Sequence, residues 1–371
     1  MKPVLIDCSF DLLSEFNTPQ QAISAHVPGF GYAKYLQEKI EVIITEQINY
    51  EGEFVSEGVR YRFFKCRKRW LHIPFKMIRF IRRKHPSILF IQGFIFPVEV
   101  ILLRWTLNKK IVFIAQHHGE LPSPGIKKIF QKIADHCIQA YLFTSLDNAK
   151  PWIDQQIIRG YHKCCEVLEA STFFEKQDRQ KSKLRLEISG HYNFLWVGRL
   201  QVNKDPVTML VAFEDYLNKN QDAKLYMIYQ DETLLQELKM IMETNQILRQ
   251  SVFLLGKIPH EELPYWYSAA DFYVSCSHRE GSGFALLEAM ACGCIPVVTN
   301  IPSFRKITAN GKYGFLYEPG NVHELSWILQ SLSHIRRNEF SEAVLAYFSE
   351  ALSFKSIAGQ LYAICERMIS K

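Results

Sequence analysis

Arg279-Glu280-Gly281-Ser282-Gly283-Phe284-Ala285-Leu286-Leu287-Glu288-Ala289-Met290-Ala291-Cys292-Gly293 is the stretch whose reading decides the fold. The apolar run Asp271-Phe272-Tyr273-Val274-Ser275-Cys276 before it reads as a buried strand, and Ile295-Pro296-Val297-Val298 after it reads as another. Between them lie strong helix formers, Ala285 to Ala291. Gly293 fits the C-terminal stop of that helix. Strand, glycine loop, helix and strand in this order form the repeating unit of a parallel α/β sheet. Gly281 and Gly283 let backbone N–H groups approach a ligand without a Cβ in the way. The helix start behind them favours an anion such as phosphate. Glu280 and Glu288 offer two carboxylates to the hydroxyls of a sugar or ribose. Taken alone, the pair is equally compatible with one loop and one surface glutamate.

Working outward, Tyr192-Asn-Phe-Leu-Trp-Val197-Gly198-Arg199-Leu200 is a strand running into a glycine turn. Asp205-Pro206 is a good helix start, with Asp at the N-cap and Pro at the first helical position. Arg199 and Lys204 then stand at the carboxyl end of a strand beside a helix N-terminus, which suits a diphosphate. Two solvated loop cations are the plainer alternative. Further strands read at 224–229 and 251–258 and helices at 233–244, 261–269 and 322–333, with a helix from Ser341 to the end.

The first half carries similar but less regular punctuation, with strands at 4–6, 40–45, 59–64, 87–93, 109–115, 140–144 and 166–170. His26-Val-Pro28-Gly29-Phe-Gly31-Tyr32 reads as a glycine loop leading into a helix. Gln116-His117-His118-Gly119-Glu120 is a polar cluster just past a strand, where open α/β sheets bind ligands. Residues 171–190 are polar and charged and read as an interdomain connection.

A chain of 371 residues exceeds one ordinary core and fits two domains. With 48% hydrophobic and 22% charged residues it is globular and not disordered. No apolar run reaches the roughly 20 residues that span a bilayer, and the start of the chain is too short an apolar run for a signal peptide. The nine scattered cysteines read as reduced thiols of a cytoplasmic protein. The net charge of +6 is concentrated: residues 65 to 85 hold nine Lys/Arg and no Asp or Glu. Arg67, Lys68, Arg69, Lys76, Arg79, Arg82, Arg83 and Lys84 form a candidate patch for an anionic membrane surface. The same residues are also compatible with a crossover helix whose basic face is solvated. No nucleic-acid motif accompanies them.

Val197-Gly-Arg-Leu, Lys204-Asp-Pro, Leu255-Gly256, Glu280 to Val297 and Asn310-Gly…Gly314-Phe-Leu occur in the order found in the retaining glycosyltransferases of family GT4, the glycosyl transferases group 1 type, and the second half resembles that family over about 150 residues. The first half matches only loosely. The resemblance implies an α/β protein of two Rossmann-like domains facing across a cleft, the GT-B fold. It implies an N-terminal acceptor-binding domain at 1–185 and a C-terminal nucleotide-sugar-binding domain at 186–345. A C-terminal helix at 346–371 would pack back towards the first domain.

The resemblance also implies roles. Arg199 and Lys204, beside the Gly198 turn, would hold the donor diphosphate, and Glu280 would contact the transferred sugar. Backbone amides of Gly281, Ser282, Gly283 and Phe284 would touch sugar and phosphate. Glu288 would bind the ribose, and Lys257 and Ile258 would face the base. Gly29 and Gly31 stand where the family carries a Gly-Gly loop after its first strand. His118 would lie near the anomeric centre, with His117 as its rival. No metal or other cofactor is implied, because the cations and the helix dipole stabilise the leaving diphosphate. The expected activity is metal-independent hexosyl transfer with retention, from a UDP- or GDP-linked sugar to a cell-envelope glycan or lipid-linked acceptor. The expected place is the cytoplasm, peripheral to the inner membrane face. A soluble small-molecule acceptor, or a non-catalytic nucleotide-sugar-binding partner protein, are the alternatives. The family's Gly-Asp-Gly turn is replaced here by Gln230-Asp231-Glu232.

Overall fold

β1 (Val4–Leu13), β2 (Glu41–Ile48), β3 (Gly52–Ser56), β4 (Val59–Lys65), β5 (Ile88–Gln92), β6 (Val112–Gln116), β7 (Ala140–Phe143) and β8 (Cys164–Glu166) build the first of two sheets in a computed structural model that describes residues 2–66 and 74–370. Their order is β3-β4-β2-β1-β5-β6-β7-β8, parallel throughout except for the β3–β4 hairpin. Ile88–Gln92 and Val112–Gln116 are buried along their whole length, as strands covered on both faces must be.

β9 (Asn193–Gly198), β10 (Lys224–Tyr229), β11 (Val252–Gly256), β12 (Phe272–Ser275), β13 (Ile295–Thr299) and β14 (Phe315–Tyr317) form the second sheet. It is parallel, in the order β11-β10-β9-β12-β13-β14. The first strand of each unit therefore sits inside its sheet, with the chain winding outward to both sides. The strand order reverses at β9/β12 and at β1/β5, and at such points the carboxyl ends of the strands open a crevice.

The chain divides into residues 1–171 with 354–371, and residues 172–353. This corrects the boundary expected at 185. The segment after Ser171 is fixed to the second unit: Gln177 N donates to Ser268 Oγ (2.9 Å), Arg179 pairs with buried Asp271, and Arg185 bonds Glu262 at 2.6 and 2.9 Å. A helix, Arg179–Arg185, replaces the expected linker, capped by Asp178. At the far end the second unit runs past 345, through Arg337–Tyr347 and a wide turn Phe348–Leu352. The last helix, Phe354–Ile369, belongs to the first unit and packs on the short helix Ala33–Leu36.

Two further expectations change. The glycine loop at His26–Tyr32 is largely helix: Pro19–Phe30 includes Pro28 and Gly29, and Gly31 is its right-handed cap. A capping box drives it, in which Gln21 N donates to Thr18 Oγ1 (3.3 Å), Thr18 N donates to Gln21 Oε1 (3.2 Å), and Pro19 opens the first turn. Gly29 and Gly31 therefore offer no loop of free amides: Gly31 N donates to Val27 O. The last strand of the first half ends at Glu166, not at Ala170; Val167 N still bonds Phe143 O (2.9 Å), and the chain then leaves the sheet as a buried segment, 167–172.

Arg67, Lys68 and Arg69 lie outside the described residues. The rest of the basic stretch forms the helix Phe75–Lys84, with Met77, Ile78 and Ile81 buried and Lys76, Arg79, Arg82, Arg83 and Lys84 exposed. Phe75, at the start of this helix, is 64% exposed.

Candidate functional site

In the second unit, the loop after β9 and the loop after β12 meet at the reversal point. Asn203 joins them, its Nδ2 donating to Arg279 O (3.0 Å) while its own carbonyl accepts from His278 N (2.8 Å). Asp205 caps the helix Pro206–Leu217, accepting from Thr208 N (3.2 Å) and Thr208 Oγ1 (2.7 Å), and lies 3.1 Å from His278 Nε2. Ser303 Oγ donates to Glu280 O (3.1 Å), which pins the glycine loop from below. Gly283 has φ +70, and a Cβ there would lie 2.4 Å from the Phe304 ring, so the turn requires glycine on both counts.

This stitching brings Lys204 Nζ and Glu280 together as a partly buried ion pair. Arg199 is exposed at the start of the same loop, directly after β9; the Thr233 hydrogen bonds lower the pKa of Asp231, and the Arg199 charge adds to that. Gly281, Ser282 and Gly283 lead into the helix Phe284–Ala291; Ser282 is buried and Phe284 is half exposed. Glu288 is buried in that helix and accepts from Tyr267 Oη (3.0 Å) and from His260 Nε2 (2.8 Å). The hydrogen bond to Glu288 raises the pKa of His260, and the Phe174 ring lies 4.7 Å from the imidazole. Sequence reasoning missed both Glu288 partners, and no local pattern marks them. Gly256 turns at φ +70, leaving Lys257 exposed and Ile258 half-buried.

In the first unit the crevice at β1/β5 is lined by a chain of polar contacts. Buried Asp7 accepts from Tyr32 Oη and from Gln92 Nε2 at 2.9 and 2.7 Å. Burial pushes its carboxyl up to about 7, against the pull of those donors. Gln92 Oε1 lies 2.8 Å from His118 Nε2, and Glu169 lies 2.8 Å from His118 Nδ1. Glu120 ties the loop by accepting from Phe94 N (2.6 Å) and from His118 N.

The two histidines differ sharply. His117 is 4% exposed, with its ring packed on Phe94, Phe143 and Trp152. Its Nδ1 accepts from Gly119 N (3.3 Å), its Nε2 donates to Glu120 O (2.9 Å), and burial lowers its pKa. It is a neutral core residue. The side chain of His118 is 39% exposed and faces the crevice network. Asp7, Gln92 and Glu169 were not expected from sequence. Gln92 could have been found as the last residue of a strand before a glycine turn, whereas Glu169 carries no local signal.

Residues 177–345 match the family described as "Glycosyl transferases group 1". The chain is 31% identical over 137 residues to the alpha-monoglucosyldiacylglycerol synthase of Streptococcus pneumoniae, a match covering 37% of this chain and 30% of the synthase. It thus spans less than a third of that relative's length. Among solved structures, sucrose-phosphate synthase from Thermosynechococcus elongatus superposes over 100% of both chains, with a TM-score of 0.73 at 14% identity. HepE from Anabaena in complex with UDP covers 99% of this chain and 100% of its own, with a TM-score of 0.70 at 14% identity. At these identities the likeness concerns the fold. With two α/β units built on largely parallel sheets, the Lys204–Glu280 loop pair at the reversal point of the second, and these matches, the chain has the GT-B fold of glycosyltransferases, and its residues 177–345 are similar to the glycosyl transferases group 1 family.

Proposed function

We propose that the protein is a retaining, metal-independent glycosyltransferase that moves a hexose from a nucleotide-diphosphate sugar to a hydroxyl of a glycan or lipid-linked acceptor. The observation that carries this reading is the joined loop pair of the second unit: Lys204 and Glu280 in contact beside the Gly281–Gly283 turn, with Arg199 on the same rim. In this reading Lys204 and Arg199 take the diphosphate, and the helix start adds its partial charge, so the leaving group gains positive partners without a metal ion. Glu280 turns from Lys204 to the sugar hydroxyls, and Glu288 meets the ribose. The bond from C1 to the diphosphate oxygen breaks as the bond from C1 to the acceptor oxygen forms, and the acceptor proton passes to the departing phosphate. UDP is the first base to test, because the similar HepE structure holds it.

A lipid-linked acceptor is supported by the relative named alpha-monoglucosyldiacylglycerol synthase and by the surface of the first unit. Arg79, Arg82, Arg83 and Lys84 are exposed on one helix, although Lys76 is neutralised by Glu51 at 2.6 Å. The helix Ile126–Asp135 exposes Ile126, Ile129, Phe130 and Ile133 among Lys127, Lys128 and Lys132. Such a surface suits an anionic bilayer. Among the described residues no helix is long and apolar enough to cross a membrane.

The test is a thermal-shift screen with UDP, GDP, ADP and their sugars, followed by product analysis by NMR. A bound donor raises the melting temperature by mass action. Turnover with an α product from an α-linked donor, lost in Glu280→Ala, supports the reading. Donor binding without turnover on any hydroxylated acceptor favours the partner-protein alternative. Flotation with anionic liposomes is expected to weaken when Arg79, Arg82, Arg83 and Lys84 are all changed to Gln; unchanged flotation removes the membrane part of the reading.

A further inference from the structure

His118 has an oxygen atom 2.8 Å from each ring nitrogen, one in an ion pair and one in a hydrogen bond. On one side is the Glu169 carboxylate, 2.8 Å from Nδ1. On the other is Gln92 Oε1, 2.8 Å from Nε2. The orientation of the Gln92 amide is set by Asp7: its NH2 group donates to both Asp7 oxygens, at 2.9 and 2.7 Å, which leaves only the carbonyl for the ring. A carboxylate and a carbonyl accept and do not donate. A neutral imidazole has one N–H and would leave a lone pair facing one of these oxygens; the doubly protonated ring satisfies both. His117 next to it shows the opposite arrangement, with an N–H aimed at Nδ1 and a carbonyl at Nε2, which only the neutral ring fits.

We propose that Gln92 and Glu169 are positioning residues that hold His118 as an imidazolium, so that the first unit presents a fixed cation at the carboxyl end of β6 and not a general base. Each ring nitrogen has a protein oxygen 2.8 Å away, Glu169 as an ion-pair contact and Gln92 as a hydrogen bond, and a ring held in its charged form has no lone pair to take a proton from an acceptor hydroxyl. It acts through its charge and through its polarised C–H edges. The groups of this unit that bear on it are Glu169, Glu120, Asp7 and Asp11, all favouring the cation, and His117, opposing it. Burial is the strongest single influence and works against the charge, but Glu169, Glu120 and Asp7 together leave the His118 pKa above its ordinary value. With a raised pKa the charged form is complete below the usual imidazole range and is lost only as pH climbs through the raised value. The assignment of charge rests on the contacts at the two ring nitrogens; its consequence for the reaction rests on the transferase reading above.

Long-range 1H–15N NMR on the full chain with 15N-histidine, assigned through His118→Asn, reads the protonation of each ring nitrogen directly. At pH 7.5 both nitrogens of His118 are expected to be protonated, while His117 shows one of each kind. A single protonated nitrogen on His118 at that pH would overturn the proposal, whether or not any sugar is transferred. In Glu169→Gln the His118 titration is expected to fall by about 1 unit or more, the usual effect of losing an opposite charge in contact, and Glu169→Asp is expected to restore most of it. If Glu169→Gln does not fold, Gln92→Leu probes the other nitrogen, with a smaller downward shift. For turnover, kcat is expected to fall on the alkaline side with the NMR pKa. A kcat that instead falls on the acid side with that pKa would mean a base, and would refute the proposal while leaving the transferase reading intact.

Discussion

The crevices of the two units share a topology and differ in chemistry. In the second, flexible cations meet carboxylates: Lys204 on Glu280, His260 on Glu288, with a glycine turn between. In the first, the contacts run through buried amide and acid groups to one imidazole, from Asp7 through Gln92 and His118 to Glu169. Ion pairs of the first kind can be exchanged for a charged ligand: in the proposed reading each partner regains an opposite charge from the diphosphate or a hydroxyl from the sugar. A network of the second kind fixes one side chain and has little to exchange. The difference indicates one crevice able to rearrange on binding a ligand and another that is organised in advance.

The largest expected effect breaks the exchangeable pair. Lys204→Ala and Glu280→Ala are each expected to lower kcat/KM by about 100-fold or more, the scale of removing a group that stabilises a transition-state charge. Because both act on one donor, the double variant should lose much less than the product of the single losses. Additive losses would place the two residues in separate roles.

Next is Gly283→Ala. Its φ of +70 and a Cβ 2.4 Å from the Phe304 ring require the turn to shift. The positive φ alone costs about 1–2 kcal/mol, and donor-induced stabilisation in thermal shift should be abolished. An unaltered shift would remove the loop from the donor site.

His118→Asn sharpens the comparison from the other side. It is expected to lower kcat by about 100-fold, the scale of removing one fixed electrostatic partner of the reacting centre, while the melting-temperature rise caused by UDP stays as in the wild type. A loss of UDP response would mean that the two crevices are not separable in function.

The smallest effect concerns His260. Its pKa is raised by Glu288, so the charged contact is complete below the ordinary imidazole range and is lost as pH rises through the raised value. UDP affinity is expected to change several-fold across that window, and His260→Gln should flatten the dependence in calorimetric titrations. A dependence that survives His260→Gln belongs to another group.

Much of the second unit was legible because its chemistry is local. Glycines, a helix cap and Glu280 lie within short runs, and the strand–loop–helix order forces them to one rim. The Asp205-Pro206 helix start was readable for the same reason. In the first unit Asp7, Gln92, His118 and Glu169 come from four separate places in the chain, and only the parallel sheet brings them together. His118 could be suspected from its position past a strand, but its partners could not. The helix Pro19–Phe30 was hidden by Pro28, Gly29 and Gly31, although Thr18 and Gln21 announced it. The missed boundary at Ser171 has a similar cause: residues 177–185 look like a polar linker until Asp271 and Glu262, far along the chain, pair with their arginines.

The first unit needs a helix that the chain reaches only after the whole second unit has been made. Phe354 fills the notch at Gly31, where even a Cβ would lie 2.4 Å from its ring. A ribosome therefore delivers all the parts of residues 172–353 before it delivers the piece that seals residues 1–171. The nascent first unit must wait with the flank of Ala33–Leu36 uncovered. Of the two units, the one born first is the last to close, and during that interval it is the one a chaperone would have reason to hold.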